Sequence, residues 1–373
     1  MNYGDLNKFL GVSNLNITEF KLLVKILNAI HAQNIGGVNQ VFKDYTQALR
    51  SRNHDVALLI SDNNRCSYDV DTIFKLKNLS PILDIFHMLW IFFKFRPDVV
   101  ICHSPRLMYN IRLLRFTGVK IIGVNHGTSF KKSLFCDYVI SVNNTINVNV
   151  IGAGFDSNKA MVISNAIDVN KTYQEQSSQN TSNMITIGTY GRLESAKGFD
   201  ILIEAAAILQ KRLKGSHQDF CLKIGGFEVP GHIRWDDMKA LAKERGVLDK
   251  CKFVGLVVDK DDFFRDVDIC CVSSREETFG LVILEGFLQS KLVISSDTDG
   301  GKFLIEDGVD GILFKKEDPN DLANKIEKLL DGHSYSAKDC NLLTKTAFKK
   351  LENKFSLNSL AKKLEELFQK IPK

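Results

Sequence analysis

The sequence predicts an α/β protein of two Rossmann-like, doubly wound parallel-sheet domains facing a central cleft. Three observations predict it. The chain has 373 residues, too long for one ordinary core and suited to two. Short apolar, β-rich runs alternate with helical patterns almost throughout, and strands spaced by helices imply parallel pairing through crossover helices. The alternation stops once, in the polar stretch Asn170–Asn183 (NKTYQEQSSQNTSN), and then restarts.

The first series of strands reads Leu23–Ile30, His54–Ile60, Asp98–His103, Val119–Asn125, Tyr138–Val142 and Met161–Ser164. The second reads Met184–Tyr190, Phe220–Gly225, Lys252–Val257, Asp268–Ser273, Leu292–Ser295 and Gly311–Phe314. The chain therefore divides into an N-terminal domain (1–170), a linker (171–183), a C-terminal domain (184–345) and a final helix (346–373). In that helix Leu357, Leu360, Ala361, Leu364, Leu367, Phe368 and Ile371 make an apolar stripe that must pack on something. The first twenty or so residues match no strand–helix unit.

Composition sets further bounds. Hydrophobic residues make up 44% and charged residues 25%, as in a globular protein. No apolar run is long enough to span a bilayer, and MNYGDLNKFL lacks the basic-then-apolar order of a signal peptide. The eight cysteines form neither a Cys-x-x-Cys pair nor a zinc-spaced cluster, so they read as reduced core residues of a cytoplasmic protein. Residues 1–170 carry 18 Lys/Arg and 12 Asp/Glu, or +6, which leaves −1 for the remainder of the +5 total. That basic half suits weak contact with an anionic membrane or an acidic acceptor, and an ordinary solvated surface explains it equally. No nucleic-acid partner is expected. Pro81–Phe95 (PILDIFHMLWIFFKF) is apolar but too short to span, and its place before a strand makes it a crossover helix packed on the sheet. Membrane contact would then fall to Arg106, Arg112, Arg115, Lys120, Lys131 and Lys132.

Several motifs could carry chemistry. Gly36-Gly37 follows the first strand, where backbone N–H groups can approach a phosphate or a sugar; a plain tight turn reads the same way. Val150–Asp156 (VIGAGFD) imitates a dinucleotide fingerprint but lacks the third glycine, so it reads as a loop. Arg192 and Lys197 flank a glycine-bounded loop between a strand and a helix, and two fixed cations there suit a diphosphate. In Ser273–Gly286 (SSREETFGLVILEG) a strand ends and a helix begins near Phe279, with backbone N–H groups at Gly280 and Leu281. Glu277 precedes the helix at the height of a donor sugar. Glu285, inside an apolar helix, is costly unless it binds something, and a ribose diol is a natural partner. His103 and His126 both end strands; His126, followed by Gly-Thr-Ser, is the functional candidate and His103 the structural one.

Together these motifs resemble the retaining family 4 glycosyltransferases of GT-B architecture, over about residues 22–345. The resemblance rests on Gly36-Gly37, Asn125-His126-Gly127, Ser164–Asp168, Gly191-Arg192-Leu193 with Lys197-Gly198, and Glu277 with Glu285 around Phe279-Gly280-Leu281. It implies that Arg192 and Lys197 hold the diphosphate, that Glu277 and the following amides hold the transferred sugar, and that Glu285 holds the ribose. It also implies that the glycine pair lines the cleft, that His126 sits near the sugar, and that the final helix crosses back to the first domain. The chain departs from the pattern at Ser164-Asn165-Ala166 (often Pro-Asn-Gly), Gly286 (often Ala), Ser290-Lys291-Leu292 (usually Gly-x-Pro) and Gly300-Gly301-Lys302-Phe303 (an acidic residue is usual after the glycines).

The implied reaction moves a hexose or N-acetylhexosamine from a nucleotide diphosphate sugar, UDP-linked first and GDP-mannose next. The acceptor would be a surface polysaccharide, a lipopolysaccharide or a lipid-linked sugar. Cations and helix amides would stabilise the leaving diphosphate, so no metal and no cofactor is expected. An epimerase or phosphorylase on the same scaffold is the rival enzyme. A degenerate nucleotide-binding module is the non-enzymatic rival, opposed by the intact Arg192, Lys197, Glu277 and Glu285. The absence of a complete Gly-x-Gly-x-x-Gly disfavours a dehydrogenase.

Overall fold

A computed structural model describes residues 23–31, 36–64, 66–77, 81–175, 184–331 and 335–372. The unplaced first twenty residues, Asn34 and Ile35 of the glycine turn, and linker residues 176–183 lie outside the described residues.

The N-terminal domain contains β1 (Lys25–Ala29), α1 (Gly37–Arg50), β2 (Asp55–Ser61), β3 (Ile73–Leu76), α2 (Pro81–Phe95), β4 (Val99–Cys102), α3 (Pro105–Ile111), β5 (Lys120–Asn125), β6 (Tyr138–Ser141), α4 (Asn144–Gly152) and β7 (Ala160–Val162). Its strands are parallel, in the order β3-β2-β1-β4-β5-β6-β7. The C-terminal domain contains β8 (Met184–Leu193), α5 (Phe199–Arg212), β9 (Asp219–Glu228), α6 (Trp235–Glu244), β10 (Cys251–Gly255), α7 (Lys260–Phe264), β11 (Ile269–Val272), α8 (Leu281–Leu288), β12 (Leu292–Ser296), α9 (Asp299–Leu304), β13 (Ile312–Phe314) and α10 (Pro319–Leu330). Its order is β10-β9-β8-β11-β12-β13, again parallel. Both sheets reverse direction of growth beside their first strand, and ligands of such sheets bind at that switch point, outside the carboxyl ends.

All twelve strands expected from sequence form, shifted by a few residues at their ends. Strand β3 was not expected: IFKL is only four residues long, too short to show a period, and it is an edge strand paired with β2. The fingerprint-like Val150–Asp156 is not simply a loop. Its first residues finish α4, and the chain then turns through Gly154 at φ +92°. All eight cysteines are free.

Helices α11 (Ala337–Lys354) and α12 (Leu357–Lys370) join the domains. The boundary drawn at 346 falls inside α11, which a Ser336–Asp339 capping box starts and which packs with the C-terminal domain's Phe279 and Leu284. The crossing comes at Phe355-Ser356: Ile167 N–H donates to the Phe355 carbonyl at 2.9 Å, and Ser356 bridges to Ile167. Helix α12 then buries Leu360, Leu364, Leu367 and Phe368 in the N-terminal core beside Tyr45 and Leu49 of α1. The stripe read from the sequence is the seam of that packing.

The opposite face of the N-terminal sheet is covered by α2 and α3. As a crossover helix, α2 does bury Met88, Ile91, Phe92 and Phe95. It is not buried throughout: Phe86, Trp90 and Phe93 are 65%, 52% and 68% exposed. The strongly apolar composition belongs to two faces, of which the sheet covers one.

Candidate active site

Strand β8 runs on past the expected end at Tyr190 and carries Arg192 next to its last residue, so Arg192 belongs to the strand and not to the loop. The single turn Ser195–Lys197 follows, and Gly198 (φ +61°) opens α5. A Cβ at Gly198 would lie 2.1 Å from the Ser273 carbonyl, so only glycine lets this turn seat against the end of β11. That contact brings two separate segments together. Lys197 Nζ donates to Glu277 Oε2 at 2.7 Å, and both side chains are largely buried. Arg192 is about half exposed and pairs with Glu194 at 2.8 Å, a carboxylate the sequence reading did not single out. Thus Lys197 and Glu277 converge, while Arg192 stands at the rim.

Helix α8 begins at Leu281, two residues after the expected start, behind Gly280 at φ +97°. Glu285 lies on its second turn and is buried. Its carboxylate accepts from the Tyr190 hydroxyl and from Lys260 Nζ, two partners not foreseen from sequence. The phenol is held well above its ordinary pKa, first by burial and then by the Glu285 charge. Lys260 sits in the charged run Asp259–Asp262, which reads as surface, and nothing local marks it as the partner of an acid 25 residues on. Glu276 is exposed, as expected of a solvated glutamate. Phe279 is a core residue: its ring packs against Phe303 and Phe355 at 6.0 and 6.1 Å, so only its backbone is available to a ligand.

The N-terminal domain supplies the facing wall. A Cβ at Gly37 would contact Leu281 Cδ1 at 3.4 Å, and one at Gly127 would lie 4.0 Å from Thr278 Oγ1, so both glycines look directly at the start of α8. Gly36 meets nothing within 4 Å and caps α1. Asn143 caps α4 through its Oδ1 and donates from Nδ2 to the Thr278 carbonyl at 2.6 Å, tying the domains at the cleft.

His126 does not stand alone. Its Nε2 lies 3.0 Å from His103 Nδ1, with the rings stacked, and Phe42 and Tyr45 set their edges on His103. Burial drives both imidazoles toward the neutral form, His126 to about 4 and His103 well below its ordinary value. One neutral ring must donate to the other, so the pair shares a single internal proton. The reading of His103 as merely structural is incomplete, because its ring pairs directly with that of the functional candidate. The signal was available: β4 and β5 are neighbours, and each histidine directly follows its strand.

Asp44, on α1, is a further unforeseen residue. It is buried, takes one hydrogen bond from Gln40 Nε2 at 2.9 Å, and leaves Oδ2 without a hydrogen-bond partner among the described residues. Burial raises its pKa to about 7, against the pull of Gln40 and Lys260; Glu285 also acts on it, so it faces the same cleft.

Two doubly wound domains, joined across a cleft whose facing edges gather cations, carboxylates and paired imidazoles, define the GT-B class of glycosyltransferases. The chain belongs to glycosyltransferase family 4: residues 35–171 match the family model described as Glycosyltransferase Family 4, and residues 170–350 match Glycosyl transferases group 1. Among relatives, the capsular polysaccharide biosynthesis glycosyltransferase CapM of Staphylococcus aureus is 24% identical, covering 86% of this chain and 91% of CapM. The lipopolysaccharide core biosynthesis glycosyltransferase LpsE of Rhizobium meliloti is 33% identical over 39% of each chain. The match to a D-inositol 3-phosphate glycosyltransferase of Corynebacterium urealyticum, 26% identical, covers 63% of this chain and 57% of that protein. A glycosyltransferase of Rickettsia africae has the same fold, with TM-score 0.78, 22% identity and coverage of 94% and 98%. So does Anabaena HepE solved with UDP, at TM-score 0.76, 18% identity and coverage of 93% and 100%.

Proposed function

We propose that this protein transfers a hexose or N-acetylhexosamine from a nucleotide diphosphate sugar, preferably a UDP-sugar, to a growing envelope polysaccharide, lipopolysaccharide or lipid-linked acceptor, with retention of anomeric configuration and without a metal. The observation that carries it is the Lys197–Glu277 pair, held beside the start of α8 and opposite Gly37 and Gly127. In the reaction Lys197, Arg192 and the N–H groups at Gly280 and Leu281 receive the diphosphate, and Glu277 takes the sugar hydroxyls. Glu285 takes the ribose and exchanges its contacts with Tyr190 or Lys260 to do so. The bond from the anomeric carbon to the phosphate oxygen breaks, and its electron pair leaves with the phosphate. The acceptor oxygen bonds to the same face of that carbon, and its proton passes to the departing phosphate oxygen.

The nature of the relatives supports the acceptor class. HepE is described in complex with UDP-glucose and TarM of S. aureus with UDP, which supports the choice of donor base. A thermal-shift panel of UDP-, GDP- and ADP-sugars tests the donor, with UDP-sugars expected to stabilise most. Proton NMR of early product, run in EDTA, tests the chemistry. An inverted anomer removes the retaining mechanism, and activity lost in EDTA and restored by magnesium removes metal independence.

A further inference from the structure

Helix α2 carries an outward stripe, Phe86, Trp90 and Phe93, spaced four and three residues apart and therefore on one face. All three are more than half exposed, and Leu83, one turn earlier, is 54% exposed. On the same side of the sheet, in and after α3, Tyr109 (44%), Phe116 (76%) and Phe135 (42%) are also exposed, next to Leu107, Met108, Leu114 and Cys136 of the layer α2 shares. An apolar surface of this aromatic content, next to water, marks an interaction site.

Charge selects the partner. Between residues 81 and 135 the chain has eight Lys/Arg and two Asp/Glu. The cations lie among the aromatic rings: Lys94 Nζ is 4.8 Å from the Trp90 ring centre, and the Arg112 guanidinium is 3.8 Å from Tyr109 and 5.0 Å from Phe135. Aromatic rings flanked by long basic side chains are the composition that settles at the headgroup level of an anionic leaflet. No described helix is long and apolar enough to cross a membrane, so the contact is with one leaflet.

We propose that the outer face of α2 is the protein's membrane-docking element: Phe86, Trp90 and Phe93 enter the interface of an anionic bilayer while Lys94, Arg96, Arg106 and Arg112 meet its headgroups. This differs from the division expected from sequence, in which the basic residues made the contact and α2 was buried; the exposure of Phe86, Trp90 and Phe93 is the reason. It also sets an orientation. Asp84 and Met88 share a small cavity with His31, which follows β1, and with Arg106 and Asn110 of α3. The amino-terminal end of α2 therefore lies at the carboxyl edge of the sheet, the edge that forms the cleft. Docking through α2 keeps the cleft mouth at the leaflet surface, whether the acceptor is lipid-linked or soluble.

The chain has two tryptophans, and Trp235 packs against Phe253 in the other domain. In the full-length Trp235→Phe protein, Trp90 emission reports the stripe alone. Vesicles containing phosphatidylglycerol should shift that emission to the blue, and brominated lipid should quench it; phosphatidylcholine vesicles should do neither. The Phe86→Ser/Trp90→Ser/Phe93→Ser protein should lose at least tenfold in partition onto anionic vesicles at low salt, with its thermal midpoint retained. Three results would overturn the proposal: no shift on anionic vesicles at low salt, partition unchanged in the triple variant, or Trp90 emission already blue and shielded from acrylamide without vesicles. The last would mean that another part of the chain, or a second copy, covers the face.

Discussion

At the scale of single residues, the charged side chains of the site pair with one another. Lys197 holds Glu277, Arg192 holds Glu194, and Lys260 and Tyr190 hold Glu285. Such pairs keep buried charges neutralised until a ligand takes their place. The exposures of the two cations differ, and so should their substitutions. Lys197→Ala should lower kcat/KM by roughly 2.7–4 kcal/mol, a hundredfold or more, and leave Glu277 without its partner. Arg192→Ala, at the rim, should cost less. Steady-state kinetics with a saturating acceptor checks the order; equal losses would place both cations on the diphosphate alike. Asp44 gives a prediction of opposite sign to the usual carboxylate. Its folded pKa lies near 7, above the ordinary 3.8, so its contribution to stability is full below about 3.8 and is lost as pH rises through 7. Asp44→Asn cannot ionise. It should match the wild type at pH 4 and exceed it at pH 8 by about 2–4 kcal/mol, read from urea unfolding at both pH values. The candidates legible in sequence were those beside a glycine turn at a strand end: Arg192, Lys197, Glu277 and the helix-borne Glu285. Tyr190, Lys260 and Asp44 were not, because each acts on a residue distant in sequence and carries no local mark; His103 was visible at its strand end, but its partnership with His126 needed the strand order.

At the scale of elements, the departures from the family pattern acquire reasons. Gly286 stands where alanine is common because α8 lies very close to its sheet. A Cβ there would fall 2.8 Å from Val293 Cγ2 and 3.1 Å from Cys270. Gly286→Ala, which would stabilise an ordinary helix, should here cost about 1–3 kcal/mol by overpacking. Adding Val293→Ala should recover part of that loss, so the double variant is less destabilised than the sum of the singles. Ser290 replaces a usual glycine and does so at φ +54°, a conformation that side chains disfavour. Its hydroxyl accepts from the Gln174 N–H at 3.0 Å, a tie to the linker that glycine could not make. Gly300 is wedged against the Glu277 and Phe279 carbonyls, 2.8 and 2.6 Å from a built Cβ, and so supports the strand-to-helix turn that carries the site. None of these reasons can be read from propensity, because each depends on which segment the fold brings opposite.

At the scale of the molecule, the alternation of strands and helices was enough to give two parallel-sheet domains, and the apolar period of the last helix was enough to give its docking. What it docks on came only from the family resemblance, which placed it on the first domain, where it does pack. The two-faced character of α2 was not legible, since one apolar run can cover a sheet and still present a second face. Helix α12 is the chief non-covalent strap between the ends of the chain. Leu364, fully buried in the N-terminal core, should cost about 2–5 kcal/mol when changed to Ala. The loss should appear as earlier unfolding of the N-terminal domain in calorimetry; an unchanged N-terminal transition would mean that the strap adds nothing to that core.

That strap also sets an order on synthesis. The N-terminal sheet is complete once β7 has been made, yet the core over α1 still lacks Leu360, Leu364, Leu367 and Phe368. About 200 residues separate β7 from the last of them, so at ordinary elongation rates the half-covered face waits for roughly 10–40 s on the ribosome. During that interval Tyr45, Leu49 and their neighbours are open to chaperones and to other nascent chains. The first domain to emerge is therefore the last to be finished, and a message truncated before codon 357 yields a protein with an unclosed core rather than a shorter enzyme.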